Sequence, residues 1–183
     1  MTEMRPGLLK AGQGGTDRLA GSLLTIHKLG GDATDGAFAL AEHILEPRCL
    51  AAPVHTHTRE NEASYILEGR FGFMIGEEVF EAGPGDFVFK PKGVPHTFWN
   101  GGEATARLVE IFSPAGFETY FSRIEPLIPE GGEPDLGGLM QVAAEYGLQM
   151  QPETIPQLLE RFGLRMAGMP PGNEGLDRDA GNS

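Results

Sequence analysis

The stretch that decides the fold reads PVHTHTRENEASYILEG and covers residues 53–69. Because residues two apart in a β-strand point to the same side, His55 and His57 can direct both imidazoles to one point. Glu62 follows a polar turn at the start of the next predicted strand, where its carboxylate can reach the same point. Two neutral imidazoles and a carboxylate suit first-row transition metals. The stretch therefore predicts a metal site.

A second stretch, GDFVFKPKGVPHTFWN at residues 85–100, supplies another histidine. Gly85 and Gly93 permit backbone turns that other residues avoid, and Pro91 stiffens the approach to the following strand. His96 then lies on a separate predicted strand, where it offers a third imidazole. Together the two stretches predict one site built from three histidines and one carboxylate.

These stretches resemble the two sequence motifs of the cupin superfamily. The first motif usually begins with a glycine, and this chain has Cys49 at that position. The resemblance implies a jelly-roll β-barrel. It also implies one divalent metal ion with the ligands His55, His57, Glu62 and His96. The following segment, IFSPAGFE at residues 111–118, is similar to the barrel exit of small bacterial monocupins described as quercetin-dioxygenase-like.

The order of the predicted elements is strands first and helices after. Short β-like runs separated by Gly, Pro, Asn and Asp indicate a barrel or sandwich and not alternating βαβ units. Three apolar stripes with helical spacing follow, and Ser113 with Pro114 predicts the start of the first helix. The expected fold is mainly β, a jelly-roll barrel with C-terminal α-helices. We expect four regions: an N-terminal arm (1–20), the barrel (21–113), a helical extension (114–166) and a flexible tail (167–183).

The composition limits the class of protein. The chain has 183 residues, 40% hydrophobic and 22% charged, which suits one globular domain. A net charge of −12 disfavours nucleic acid and anionic membranes as partners. The first ten residues lack the pattern of a signal peptide, so we expect a cytoplasmic protein. The single cysteine excludes an intrachain disulfide and a thiolate metal cluster.

Strand alternation predicts which side chains surround the metal. If Glu62 points inward, every second residue of its strand does so too, and Phe98 follows His96 inward on the other strand. The predicted substrate pocket is lined by Ser64, Ile66, Phe71, Phe73 and Phe98. It is mostly apolar and suits a small aromatic or hydrophobic ligand. The alternative is that these aromatic side chains only fill a β core.

Three further polar residues lie near the predicted site in the sequence. Glu42 and His43 point to opposite faces of their predicted strand, so one of them can add a polar group to the interior. Glu60 is the competing carboxylate beside Glu62. It falls in the predicted turn, where we expect a solvated side chain.

The expected chemistry follows from the ligand set. An ion bound by three neutral imidazoles and one carboxylate keeps positive charge and, when five- or six-coordinate, open positions. Iron, manganese, nickel and cobalt fit this description, and zinc is the alternative that four ligands nearly saturate. The leading hypothesis is a dioxygenase-type oxidoreductase acting on a small aromatic or enolisable substrate. The resemblance implies that Glu62 is then catalytic as well, because it exchanges a proton with the substrate hydroxyl.

Two other functions and an assembly state complete the expectations. The chain could be a metal-dependent isomerase, decarboxylase or lyase, or a non-catalytic cupin that binds a small molecule. We expect a homodimer, because the outward-facing Tyr65, Leu67 and Trp99 would otherwise expose apolar surface. The helices after Ser113 could instead cover that surface within one chain.

Overall fold

The computed structural model describes residues 7–167. Its strands are β1 (Thr16–Leu19), β2 (Leu23–Leu29), β3 (Ala39–Leu45), β4 (Cys49–Leu50), β5 (Val54–His57), β6 (Asn61–Glu68), β7 (Phe71–Ile75), β8 (Glu78–Ala82), β9 (Phe87–Lys90), β10 (His96–Asn100), β11 (Ala106–Ser113), β12 (Leu148–Gln151) and β13 (Arg165–Met166). Its α-helices are α1 (Tyr120–Ile124), α2 (Leu136–Glu145) and α3 (Ile155–Phe162). No helix in this part of the chain is long and apolar enough to cross a membrane.

The strands form two sheets that face each other. One sheet has the order β1-β2-β3-β11-β6-β9, and in the other β10 pairs with β4, β5 and β7. Side chains from both sheets, including Leu45, Ile66, Phe73 and Phe112, share one buried core. The sheets are not closed by continuous pairing. This arrangement confirms the predicted mainly β jelly roll with C-terminal helices.

Several short strands lie outside the predicted barrel segment. In the predicted N-terminal arm, β1 pairs antiparallel with β2. In the predicted helical extension, β12 pairs with β5 and β13 runs parallel to β4. Strands of two to four residues carry too little alternation to be distinguished from loops, because only the partner strand defines them. The predicted flexible tail lies outside the described residues except for Ala167.

The C-terminal helices coincide with the predicted apolar stripes, but the first one starts differently. Ser113 ends β11 and donates a hydrogen bond to the carbonyl of Ala37, so it does not cap a helix. The helical segment begins at Phe117, after Gly116. Helix α3 ends where Gly163 adopts φ 62°, a left-handed conformation that favours glycine.

The outer face of β10 is covered within the chain. Trp99 is buried and its indole stacks on the ring of Phe162 in α3, with ring centroids 4.3 Å apart. Leu158 of the same helix belongs to this cluster. Trp99 is therefore not part of a free apolar surface, whereas Tyr65 and Leu67 remain 43% and 39% exposed.

Candidate metal centre

Three strands position the predicted ligands. His55 and His57 lie on β5, and His96 lies on β10, where it pairs directly with His55. Glu62 lies on β6 in the facing sheet. All four side chains are buried. The candidate site therefore bridges the two sheets inside the jelly roll.

The four side chains converge on one point. One donor atom from each residue lies within 4.8 Å of the others. Oε2 of Glu62 is 3.1 Å from Nε2 of His57 and 3.0 Å from Nε2 of His96. Donor atoms about 3 Å apart can share one ion at about 2.1 Å, the usual metal–nitrogen distance. The geometry therefore has the dimensions of a divalent metal site.

An unpartnered nitrogen supports the same fit. Nε2 of His57 is buried and has no hydrogen-bond partner, because its contact with Glu62 lacks the required alignment. A buried polar atom without a partner costs free energy. An ion bound at this nitrogen removes that cost, so the residues present fit a metal.

The other ring nitrogens orient the imidazoles. Nδ1 of His55 lies 2.8 Å from the carbonyl oxygen of Pro53, and Nδ1 of His96 lies 3.0 Å from that of Val94. A protonated Nδ1 that donates to a carbonyl leaves the lone pair of Nε2 free for a metal. Both backbone contacts thus select the ligand tautomer.

Glu60 performs the same function for His57, which corrects the expectation of a solvated side chain. Glu60 is only 5% exposed, and its Oε2 lies 3.4 Å from Nδ1 of His57. The turn between β5 and β6 folds back under the histidine, so the carboxylate enters the interior. The spacing of three residues from His57 was the available signal, because metal-binding histidines commonly contact a carboxylate through the second nitrogen.

The two histidines of β5 differ in their electrostatics. Burial and the neighbouring His96 and His57 hold the pKa of His55 well below its ordinary value, so this imidazole is neutral. Burial also lowers the pKa of His57, but hydrogen bonds to Glu60 and Glu62 raise it above the ordinary value. Metal binding therefore competes with a proton mainly at His57.

A buried lysine network behind Glu62 was missed at the level of sequence. Lys90 is fully buried, and its Nζ lies 2.7 Å from Oε1 of Glu62 and 2.8 Å from Oε2 of Glu110. Ser64 donates a hydrogen bond of 2.6 Å to Glu110. These contacts hold one oxygen of Glu62 and direct the other towards the histidines. Strand alternation was the available signal, because Lys90 follows the buried Val88 by two residues.

The charges of this network balance each other. Burial would raise the pKa of Glu62, but the Lys90 ammonium and several hydrogen bonds hold it well below its ordinary value. Burial and the Glu62 charge raise the pKa of Glu110 well above its usual range. Lys90 keeps a raised pKa despite its burial, because both carboxyl groups face it. The network therefore holds a lysine cation and a glutamate anion beside a neutral Glu110.

A small cavity of about 60 Å³ borders the cluster. His55, His57 and Glu62 form its polar wall, and Phe98 lies on the apolar wall, as expected. The other predicted lining residues are not on this wall: Ser64, Ile66, Phe71 and Phe73. All four are buried and inward-facing, but they lie in the core or bond to Glu110. Alternation identified their face, and only the sheet register decides their depth.

The opposite wall of the cavity comes from segments that follow the jelly roll. Phe117, Tyr120 and Phe121 line it, and the ring of Phe117 lies 4.2 Å from the ring of His57. His43 also lines the cavity. Glu42 turns to the other side of the sheet, where Lys28 lies 2.9 Å away. The structure thus assigns the inward polar position on β3 to His43.

Cys49 has no environment that favours reactivity. It lies fully buried in β4, and burial raises the pKa of its thiol to about 11. The thiol is therefore protonated at neutral pH, whereas a nucleophilic cysteine needs a lowered pKa. The residue is a core position.

Fold and site together define a jelly-roll protein with a candidate divalent-metal centre. Residues 41–112, which include the four clustered side chains, match the family model described as Cupin domain. The chain therefore belongs to the cupin superfamily. A search of curated proteins gives no match.

Solved structures share the fold. KdgF from Halomonas sp. is 14% identical, with a TM-score of 0.54 over 61% of this chain and 96% of that chain. An RmlC-like cupin from Shewanella frigidimarina is 20% identical, with a TM-score of 0.50 over 61% and 93%. A sugar phosphate isomerase from Silicibacter pomeroyi is 23% identical, with a TM-score of 0.45 over 50% of this chain. The chain spans 59% of that isomerase.

Proposed function

We propose that the chain is a metal-dependent enzyme of the dioxygenase type that acts on a small aromatic or enolisable substrate. The observation that carries the proposal is the cluster of three histidines and Glu62 on the wall of a mostly apolar cavity. When bound, a divalent iron, manganese, nickel or cobalt ion supplies a Lewis-acid and redox centre with open coordination positions.

The residues of the chain have separate roles in this proposal. The three histidines hold the ion through Nε2, and Oε2 of Glu62 completes the ligand set. Glu62 also takes the proton of the substrate hydroxyl, which is the role that the family resemblance implies. Lys90 keeps the other oxygen of Glu62 in place. Phe98 and Phe117 exclude water and offer flat apolar surfaces to an aromatic ring.

The cavity lining favours a substrate without a phosphate group. Among the described residues that line it, the ionisable side chains are His43, His55, His57, Glu62 and Tyr120, and none is Arg or Lys. Phosphate and polycarboxylate groups are usually recognised by such cations. A hydroxylated aromatic or a β-diketone needs only the metal and apolar contacts.

Metal analysis tests the first part of the proposal. Protein purified from metal-replete medium should carry close to one transition-metal ion per chain, measured by elemental analysis. His57→Ala should remove most of the metal while the circular dichroism spectrum stays native. His27→Ala is the matched control, because His27 bonds to Asp17 and is not part of the cluster. Failure of the wild-type protein to take up any metal on titration would contradict the proposal.

Oxygen consumption tests the reaction. Protein loaded separately with each of the four metals should consume dioxygen with some member of a panel of flavonols, catechols and β-diketones. Glu62→Gln should lower turnover more than metal occupancy, because the amide still offers an oxygen but accepts no proton. Glu68→Gln, an exposed change on the same strand, should leave both unchanged.

The same assay separates the alternatives. Product formed equally well without oxygen would favour a metal-dependent isomerase, decarboxylase or lyase. Saturable binding of a panel member, with neither oxygen uptake nor product, would favour a non-catalytic cupin that binds a small molecule. Either result would overturn the dioxygenase proposal and leave the metal centre in place.

We also propose a cytoplasmic homodimer. Tyr65 and Leu67 on β6 and Phe87 and Phe89 on β9 are 39% to 60% exposed. Tyr65 pairs with Phe87, and β9 is an edge strand, so these side chains form one apolar outer face. Light scattering at micromolar concentration should give the mass of a dimer. Phe87→Ser with Phe89→Ser should give a monomer, whereas Phe38→Ser on another exposed segment should not. A monomeric wild-type protein would refute the dimer.

A further inference from the structure

A second cavity adjoins the one beside the metal centre. This chamber has a volume of about 210 Å³ and lies between the mouth of the jelly roll and the C-terminal segments around α2. Five residues line both cavities: Leu19, Ala51, Ala52, Ile124 and Met150. The chamber is therefore the continuation of the metal-centre cavity towards α2.

The chamber differs sharply in polarity from the inner cavity. Its fifteen lining residues are all Leu, Ile, Met, Ala or Pro. In the described part of the chain, no polar or charged side chain borders it, whereas the inner cavity has histidines and Glu62 on its wall. A ligand that spans both cavities must have one polar end and one apolar end.

The sizes of the cavities lead to the same conclusion. The inner cavity of about 60 Å³ is far below the roughly 300–1,000 Å³ of typical small-molecule pockets. With the chamber included, the space approaches the lower end of that range. A substrate larger than a few heavy atoms therefore has to extend into the chamber when its head reaches the metal ligands.

The rim of the chamber exposes apolar side chains. Leu136 and Met140 of α2 line it and are 66% and 47% exposed. Exposed apolar residues that border a cavity commonly mark a binding surface. They provide an apolar entrance for a ligand that arrives from solvent.

We propose that this chamber binds the apolar extension of the substrate, an alkyl or aryl group attached to an oxygen-bearing head at the metal centre. The inference rests on the proposed function, because the head requires the metal. Continuity with the metal-centre cavity and the wholly apolar lining carry it. The extension displaces water from apolar walls, so each buried methylene strengthens binding.

Chain-length dependence of binding tests the inference. The probes are n-alkyl hydroxamates from acetohydroxamate to octanohydroxamate, titrated calorimetrically into full-length nickel-loaded protein. The hydroxamate binds the metal, and the alkyl chain points into the chamber. Affinity should rise by about fourfold per methylene until the chamber is full and then level off.

Variants locate the alkyl chain. Leu139→Trp fills part of the chamber without bordering the inner cavity, so it should lower the affinity ratio of octanohydroxamate to acetohydroxamate tenfold or more. Met140→Glu places a charge at the half-exposed rim and should lower the same ratio, which covers the case that Leu139→Trp does not fold. Val79→Trp, exposed on β8, should leave the ratio unchanged.

The outcomes distinguish this inference from the proposed function. Failure of every hydroxamate to bind, together with failure to load nickel, would overturn the metal centre and the chamber proposal with it. Acetohydroxamate binding without any gain from longer chains would overturn the chamber proposal alone. A photo-crosslinker at Leu136 that then reacts with residues 168–183 or with a second chain would identify what covers the chamber instead. An unchanged ratio in both chamber variants would also overturn it.

Discussion

The interior of the jelly roll has a polar half and an apolar half, and the same strands build both. On β6 the inward side chains change from Glu62 and Ser64 to Ile66. On β10 they change from His96 to Phe98. Because alternation continues unchanged along each strand, the two halves share one backbone geometry and differ only in side-chain chemistry. The site thus occupies a scaffold that the rest of each strand stabilises.

The two halves satisfy their burial in different ways. In the apolar half, the rings of Phe71, Phe73 and Phe98 pack with centroids 6.0–6.4 Å apart, which needs no directional partner. In the polar half, Lys90 needs Glu62 and Glu110 to balance its charge. Burying a charge is unfavourable unless a partner is in place. The comparison predicts that truncation in the apolar half destabilises the fold, whereas changes in the polar half leave charges or protons unbalanced.

The largest effect is expected in the apolar half. Phe71→Ala leaves a cavity in the core and should lower the free energy of unfolding by about 4 kcal/mol. Because the ligands lie in the other half, the folded variant should still bind one metal ion per chain. Urea unfolding and elemental analysis measure both quantities. Phe89→Ala, a half-exposed phenylalanine on β9, is the control and should change stability little. Loss of metal from folded Phe71→Ala protein would show that the halves are not separate.

A somewhat smaller effect is expected for the buried lysine. Lys90→Met leaves Glu62 and Glu110 without their cation and should destabilise the protein by about 3 kcal/mol, because one carboxyl group can take up a proton. Chemical denaturation of the metal-free protein measures the change. Lys92→Met, an exposed change two residues away, should have almost no effect.

A second substitution sharpens the lysine test. Adding Glu110→Leu to Lys90→Met removes one of the two unpartnered carboxyl groups and should recover part of the lost stability. If the double variant is less stable than the single one by the full cost of Glu110→Leu alone, the two residues are not coupled. The network would then contribute independent contacts and no charge balance.

The smallest effect is the pH dependence from His43, a cavity residue between the two halves. Burial lowers the pKa of His43 to about 3, with Lys90 and His27 opposing its charge and Glu62 and Glu42 favouring it. Between about pH 6.5 and pH 3 the unfolded chain binds a proton at this residue that the folded chain does not. His43 therefore contributes stability above pH 6.5 that is lost as pH falls.

A variant isolates this contribution. Between pH 7 and pH 5, His43 should account for a loss of about 2 kcal/mol in the free energy of unfolding. With a chelator present to exclude metal effects, urea unfolding should show a shallower pH slope for His43→Gln than for the wild-type protein. Parallel slopes would mean that His43 becomes protonated in the folded protein.

Local spacing was enough for the ligand cluster and the fold class. The four side chains that the structure brings together were identified from two short stretches, because strand alternation and the turn residues act over a few positions. The outward direction of Tyr65 and Leu67 followed from the same alternation. That these residues bind a metal stays a prediction until metal is measured.

Other features depended on partners distant in the chain. Glu110 reaches Ser64 across 46 positions, and Phe117 reaches His57 from beyond the jelly roll. Neither contact leaves a pattern within a single strand. The wall of the cavity, the chamber under α2 and the cover over Trp99 therefore could not be derived from local spacing.

The sequence by itself determined which side chains face inward and which four can form one site. Only the tertiary structure decided how deep each inward side chain lies, so that Phe98 borders the cavity while Phe71 and Phe73 fill the core. The physical reason is that alternation has a period of two residues and carries no information on depth. Depth depends on the register between strands and on the segments that pack across the opening.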